Sequence, residues 1–219
     1  MWSSEVTNMI ITGIWETLYM TLVSTLVGYV LGLPMGIILT VSDKDGIKPN
    51  AVLYKILDVI ANIVRSVPFI ILLVLLIPFT RLVVGKSYGS TATIVPLVIA
   101  AAPYIARMVE SSLKEVDAGV IEAARSMGAS NFTIITKVML VEARTSLLVG
   151  ATITLGTILG YSAMSGAVGG GGLGAIAIRY GYTRWQTDIM IVTVILLIIL
   201  FQIFQTVGMK LADKFDHRK

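Results

Sequence analysis

The residue types that carry most enzyme chemistry are scarce in this chain. It has no cysteine and one histidine, His217, close to its end. Disulfides, thiolate metal sites, cysteine nucleophiles and most histidine-based catalysis are therefore excluded. The run at 169–174 formally matches a dinucleotide fingerprint, but it ends a hydrophobic segment and no Lys-Ser or Lys-Thr follows it. We predict no catalytic residue, no metal site and no cofactor on this chain, and we interpret the glycine run as a hinge with a re-entrant turn.

A short segment within the longest polar stretch, 107–145, has the composition of a projecting helix. Glu122, Ala123 and Ala124 are good helix formers, and Gly128 follows them as a natural helix terminator. A small helix of this kind, at about 119–131, suits insertion into a groove on a partner protein.

The flanks of this segment extend the same prediction. Ile121, Ala124 and Met127 recur at helical spacing and are expected on one face. Ser130 or Asn131 can cap a second helix that runs on through residue 137. From periodicity alone, an amphipathic connector lying on the membrane surface is an equally good interpretation.

The elements that position these residues are membrane helices. The chain is 56% hydrophobic and 14% charged, with a mean hydropathy of +0.87. A soluble fold of this size could not bury so much apolar surface, and backbone polar groups in lipid require helices. We predict an all-α membrane protein that forms a single transmembrane domain over 1–219. Its five spans are expected at about 14–41, 57–80, 91–108, 147–168 and 187–210.

The basic residues predict the orientation of these spans. Most of them fall on the loops after the first, third and fifth spans, and few fall on the loops between. This places the N-terminus outside, and the C-terminus and the 110–145 loop in the cytoplasm, for a multi-pass protein of the plasma membrane. The net charge of +4 is then explained by topology, and nucleic-acid binding is not expected.

Polar side chains within the spans are candidates for a translocation pathway or its gate. Arg65 is the one charge predicted inside a span, and Pro68 should bend that span. Arg65 could equally extend to the interface from near the cytoplasmic end of its helix. In the fourth span the candidates combine hydroxyls, an aromatic ring and a thioether, which suit a pathway for a small zwitterion. The alternative role of these side chains is routine hydrogen bonding between helices. These candidates are Tyr161, Ser162, Met164 and Ser165.

Stripes of small residues mark close helix contacts. Gly28, Gly32 and Gly36 share one face of the first span, as do Gly156 and Gly160 in the fourth. Packing within one chain is favoured over packing between two copies.

The quoted segments resemble a known family. The run Glu122-Ala123-Ala124, followed after three residues by Gly128, looks like the EAA loop of ATP-binding-cassette (ABC) importer permeases. Val141 stands where that pattern has proline. The runs at 64–73, 101–110 and 160–169 resemble the methionine importer permeases in particular.

This resemblance implies a type I ABC importer-like fold with a cytoplasmic coupling helix. It implies that Glu122, Ala123, Ala124, Met127 and Gly128 couple the chain to a cytoplasmic ATPase. Two ATPase copies, a second copy of this chain and an extracytoplasmic methionine-binding protein are the expected partners, besides membrane lipid.

Three other functions compete with a methionine permease. A permease for another amino acid in the same superfamily would share the coupling loop. A self-sufficient secondary transporter usually has internal repeats and intramembrane carboxylates, and neither is evident in the uncharged stretches. An intramembrane hydrolase would need a Ser–His or Ser–Lys pair, and the uncharged stretches of the spans hold no histidine or lysine for it.

Overall fold

The computed structural model describes residues 4–216, which form an all-helical bundle without strands in that range. This confirms the predicted fold class. His217 and the two basic residues after it lie outside the described residues. The α-helices in chain order are α1 (Ser4–Ser42), α2 (Ala51–Ser66), α3 (Phe69–Leu75), α4 (Ile77–Val84), α5 (Ser90–Lys114), α6 (Ala118–Ser126), α7 (Asn131–Thr133), α8 (Leu140–Glu142), α9 (Arg144–Ser165), α10 (Gly172–Ile176) and α11 (Thr187–Lys214). Shorter helical turns link some of them: π-helical segments at Ile134–Met139 and Ala177–Tyr182, and a 3-10 turn at Gly166–Val168.

Four helical segments of the described chain are long and apolar enough to cross a bilayer. Each of them begins or ends close to a boundary of an expected span. They are Ser4–Ser42, Ser90–Lys114, Arg144–Tyr182 and Thr187–Lys214. The first begins well before residue 14, because a helix continues past the apolar stretch that defines a span. Likewise α5 continues through Lys114, so the loop expected at 110–145 begins inside a helix.

The second expected span is broken at Pro68. Val67 and Pro68 are extended, with ψ of 125° and 134°, and α2 and α3 meet at 102°. Proline lacks the N–H that a helix needs and forces the preceding residue out of the helical region. The predicted bend is confirmed. The expectation of a single helix over 57–80 is wrong. The three helices α2, α3 and α4 occupy that stretch and its flanks.

The bundle is built around the contact between α1 and α5. A methyl group placed on Gly32 would lie 2.5 Å from the carbonyl oxygen of Ala102, and one on Gly36 would lie 2.6 Å from that of Ala106. Only glycine permits helices to approach this closely. The first glycine stripe therefore packs within the chain, as predicted.

The two glycines of the second stripe, Gly156 and Gly160, have different surroundings. A methyl group on Gly156 would lie 2.6 Å from the ring of Phe201 in α11, whereas no described atom lies within 4 Å of one on Gly160. The core between these contacts contains fully buried side chains from α1, α5 and α9, including Met20, Ile105 and Ile158.

The glycine run after α9 makes a tight turn that is bound to α1. Gly169, Gly171 and Gly172 have φ between 73° and 88°. The Glu16 carboxylate accepts the N–H of Gly172 at 2.7 Å, and the adjacent Thr17 hydroxyl accepts the next N–H at 2.9 Å. Glu16 was missed in the sequence because it only borders the first uncharged stretch. Glu16 and Thr17 each satisfy one of the free N–H groups at the start of α10.

Candidate coupling surface and translocation residues

Hydrogen bonds cap both ends of the helix α6. At its start the Asp117 carboxylate accepts the N–H of Gly119 at 2.7 Å. At its end the N–H of Gly128 bonds the carbonyl of Arg125 at 2.9 Å, and the next N–H, of Ala129, bonds the carbonyl of Ala124 at 3.1 Å. Together these two bonds form a Schellman motif.

The turn after α6 needs its glycine. Gly128 has φ of +83°, which residues with a Cβ rarely adopt, and it is exposed. A new helical segment begins at Asn131, and the Ser130 hydroxyl caps it by accepting the N–H of Thr133 at 3.2 Å. The predicted sequence of helix, glycine turn and capped second helix is therefore present.

The predicted coupling residues divide into an outer and an inner set. Glu122, Ala123, Met127 and Gly128 are exposed, with Met127 83% exposed, whereas Ala124 is buried against the chain's own core. The shared face expected for Ile121, Ala124 and Met127 is wrong in its last member, because α6 ends at Ser126 and Met127 turns outward. Four of the five residues are thus available to a partner.

The inner side of α6 rests on the loop between α1 and α2. Arg125 donates to the carbonyl of Ile47 at 3.1 Å, and Ile47 and Ile121 both pack against the core cluster that contains Ala124. A cavity of about 500 Å³ lies between this loop, the end of α5 and α6. The helix is therefore attached to its own chain on one side and open on the other.

Two of the five candidate pathway residues, Arg65 and Tyr161, lie near the break at Pro68. The ring of Tyr161 stacks on Phe69, the first residue of α3, with centroids 4.5 Å apart. On the other side of the break, the guanidinium of Arg65 lies 6.0 Å from the ring centroid of Tyr104, whose hydroxyl is 3.5 Å from that of Thr157. A cation, two phenols and a hydroxyl from α2, α5 and α9 thus surround one bend.

The other candidates in α9 point in different directions. Met164 is 53% exposed. Ser162 and Ser165 are buried, and they donate to the carbonyls of Leu159 at 2.8 Å and of Ser162 at 2.6 Å. Both hydroxyl protons are therefore engaged within their own helix.

A network of ion pairs lies near α6 and was not predicted. We call Asp43, Asp58, Arg107, Glu110 and Lys114 the ion-pair network. Arg107 pairs with Asp58 and, at 2.7 Å, with Glu110, while Lys114 pairs with Glu110 at 2.8 Å and with Asp43 at 2.7 Å. The hydrogen bond from Lys114 holds the pKa of the Asp43 carboxyl below its ordinary value.

The spacing of part of this network was readable from the sequence. Arg107, Glu110 and Lys114 are three and four residues apart, so they share one side of α5. Their partners on other elements carried no local signal. In the part of the chain that the structure describes, no group of three or more His, Cys, Asp or Glu side chains is placed to hold a metal ion.

A helical membrane chain that exposes a short capped helix between two spans has the form of a transporter's membrane subunit. Residues 28–218 match the family described as binding-protein-dependent transport system inner membrane component. The chain belongs to this family, and it is a multi-pass inner-membrane permease and not an enzyme.

Named relatives and solved structures agree with this assignment. The chain is 49% identical over 217 residues to the probable D-methionine transport system permease protein MetI of Vibrio cholerae, covering 99% of this chain and 96% of that protein. It is 51% identical over 158 residues to the D-methionine transport system permease protein MetI of Escherichia coli K12, covering 72% and 73%.

Two solved structures extend the comparison to the fold. A chain of the inward-facing MetNI methionine ABC transporter superposes with a TM-score of 0.97 at 49% identity, covering 99% of this chain and 100% of that one. An amino acid ABC transporter solved with histidines has a TM-score of 0.73 at 22% identity, covering 98% and 96%, and shows the shared fold alone.

Proposed function

We propose that this chain is the permease subunit of an ATP-driven importer that takes up methionine. The exposed and doubly capped α6 carries this proposal, together with relatives at about half identity that are named methionine permeases. A separate cytoplasmic ATPase binds α6, and ATP binding and hydrolysis there alternate the permease between inward-open and outward-open states. The permease itself uses no cofactor.

The coupling surface consists of Glu122, Ala123, Met127 and Gly128. These residues face away from the bundle, so a cleft on an ATPase can enclose them without unfolding the chain. Ala124 has a different role: its burial anchors α6 to the core, so that force on the helix reaches the spans.

The pathway forms between two copies of the chain around a twofold axis. Five spans from one chain are few for a complete pathway, and the cluster at Pro68 supplies groups suited to a zwitterion with a thioether. Arg65 pairs with the substrate carboxylate, and Tyr161 and Met164 provide adaptable apolar contact. Ser162 and Ser165 are buried behind them and support this wall through hydrogen bonds within α9.

The orientation follows the basic residues. The α6 end of the bundle faces the cytoplasm with the C-terminus, and the Glu16 end faces outside with the N-terminus. Two ATPase subunits bind the inner face, and an extracytoplasmic methionine-binding protein delivers substrate to the outer face. Exposed aromatics there, Tyr182 and Trp185, support an interfacial surface.

Reconstitution tests the proposal. Liposomes that contain this chain, its ATPase and its binding protein should accumulate radiolabelled methionine only with ATP, and liposomes with this chain alone should not. Unlabelled amino acids added as competitors define the substrate. Accumulation by the chain alone would overturn the role of the ATPase, and competition by another amino acid without competition by methionine would overturn the substrate.

A charge reversal on α6 tests the coupling surface separately. Glu122→Lys should reduce co-purification of the ATPase while the permease stays inserted in the membrane. Glu142→Lys is the matched control, because Glu142 is also exposed but lies outside α6. Equal ATPase recovery with both variants would show that α6 is not the docking element.

A further inference from the structure

The ion-pair network connects the element that carries α6 to the element that carries the Pro68 break. Arg125 in α6 bonds the carbonyl of Ile47, in the loop after α1. The same loop begins with Asp43, which pairs with Lys114 at the end of α5 at 2.7 Å. The base of α6 is thereby tied to α5 through a charged contact.

From Lys114 the network continues to α2. Lys114 and Arg107 both pair with Glu110, which is 5% exposed, and the Tyr54 hydroxyl of α2 donates to Glu110 at 3.3 Å. Arg107 then reaches Asp58 of α2 as an ion pair, and it donates to Asn62 one turn further along α2 at 2.9 Å. Two charged contacts and one phenol thus hold α2 against α5.

The burial of Glu110 makes these contacts hard to separate. A buried carboxylate that loses a cationic partner is left with an uncompensated charge, and that state is strongly unfavourable. The loop after α1 and the helix α2 can therefore leave α5 only by breaking ion pairs. Displacement of α6 would carry α2 with it instead of letting the two elements slide past each other.

The far end of α2 reaches the candidate pathway. Arg65 lies in its last turn, and Phe69, just beyond Pro68, stacks on Tyr161. Polar contacts therefore run from Arg125 of α6 to Asn62 of α2, and the rest of α2 connects Asn62 to the groups around the bend.

We propose that the ion-pair network is a positioning device that makes α2 move together with α6, so that ATPase motion displaces Arg65 and Phe69 at the pathway. Arg107 and Glu110 are positioning residues that touch neither ATPase nor substrate. This inference rests on the proposed coupling role of α6.

The test measures motion of α2 in the assembled transporter. The chain has no native cysteine, so Val52→Cys, on the exposed face of α2, accepts a spin label specifically. The distance between the two labels of the paired copies is measured by double electron–electron resonance with and without ATP. Transport per ATP hydrolysed is measured on the same preparations without the label.

Asp58→Asn removes one end of the network at a partly exposed position and should leave the fold intact. We expect the ATP-dependent change in label distance to fall by about half or more, and transport per ATP to fall about fivefold, since a fivefold effect is within the usual range of coupling free energies. Asp58→Glu keeps the charge and should restore both. Asp45→Asn is the matched control, because Asp45 is 84% exposed and pairs only with its neighbour Lys44 in the ion pairs of the described chain.

Glu110→Gln tests the hub of the same network and should have the same two effects. The proposal is overturned if Asp58→Asn keeps the full distance change and full transport per ATP. It is also overturned if α2 does not move in a wild-type complex that hydrolyses ATP. Failure of the proposed function is distinct, because it would show as a wild-type complex that moves α2 with ATP but transports no methionine.

Discussion

The ring of Tyr161 lies on the ring of Phe69, with centroids 4.5 Å apart and planes within 3° of parallel. Phe69 follows Pro68 directly, so this stack fixes α9 against the point where the broken span changes direction. Stacked aromatic pairs contribute about 1 kcal/mol beyond the area that they bury. The contact therefore joins the helix that carries most pathway candidates to the broken span that carries Arg65.

Removal of the Tyr161 ring should impair transport through loss of this stack. Tyr161→Ala is expected to lower methionine uptake about tenfold, equivalent to about 1.4 kcal/mol. Tyr161→Phe keeps both rings and should retain uptake within about threefold of the wild type. Uptake assays in proteoliposomes at equal protein content measure this. If Phe is as damaging as Ala, the hydroxyl and not the stack is what transport requires.

The positive φ of Gly128 predicts which substitutions the coupling turn tolerates. Gly128→Val places a β-branched residue in the left-handed region, which costs roughly 1–2 kcal/mol and should unwind the end of α6. Gly128→Asn is the control, because asparagine adopts this conformation more readily. ATPase co-purification should fall for Val and persist for Asn. Normal ATPase binding by the Val variant would contradict a requirement for this turn.

The contact of α1 with α5 predicts a steric effect at Gly36. Gly36→Val should lower the free energy of unfolding by about 3 kcal/mol or more, because the added methyls meet the backbone of Ala106 and the side chain of Val109. Gly160→Ala is the control, since described atoms leave open space there and alanine favours a helix by about 1 kcal/mol. Thermal denaturation in detergent compares the two. A stable Gly36→Val variant would show that the helices can separate without loss.

The contact of Glu16 with the glycine turn predicts a capping effect. Glu16→Leu removes the acceptor of the Gly172 N–H and should destabilise the permease by about 1 kcal/mol, as loss of a helix cap does. Glu16→Gln keeps a side-chain oxygen and should cost less. The same thermal assay, together with protease sensitivity of 169–182, measures the effect. Equal stability of the Leu variant and the wild type would show that the hydrogen bond from Gly172 to Glu16 does not stabilise the permease.

Local pattern was enough for several features of this chain. The uncharged stretches predicted membrane helices, Pro68 predicted the break, and Glu122 to Gly128 predicted a short helix closed by a glycine turn. Each of these depends on residues within a few positions of one another, because helix propensity, capping and proline geometry are local properties. The helices extend beyond the expected span boundaries, since a helix continues past the apolar stretch that defines a span.

The sequence by itself therefore determined that the chain is a multi-span helical membrane protein with a projecting helix suited to a partner. Tertiary structure alone decided which charges meet between helices. Arg107 pairs with Asp58 across 49 residues, and Glu16 caps a turn 156 residues away. Tertiary structure also decided that Ala124 faces the core while Met127 is exposed. The physical reason is that ion pairs, caps from distant segments and helix faces depend on how whole helices pack, and no local propensity encodes that packing.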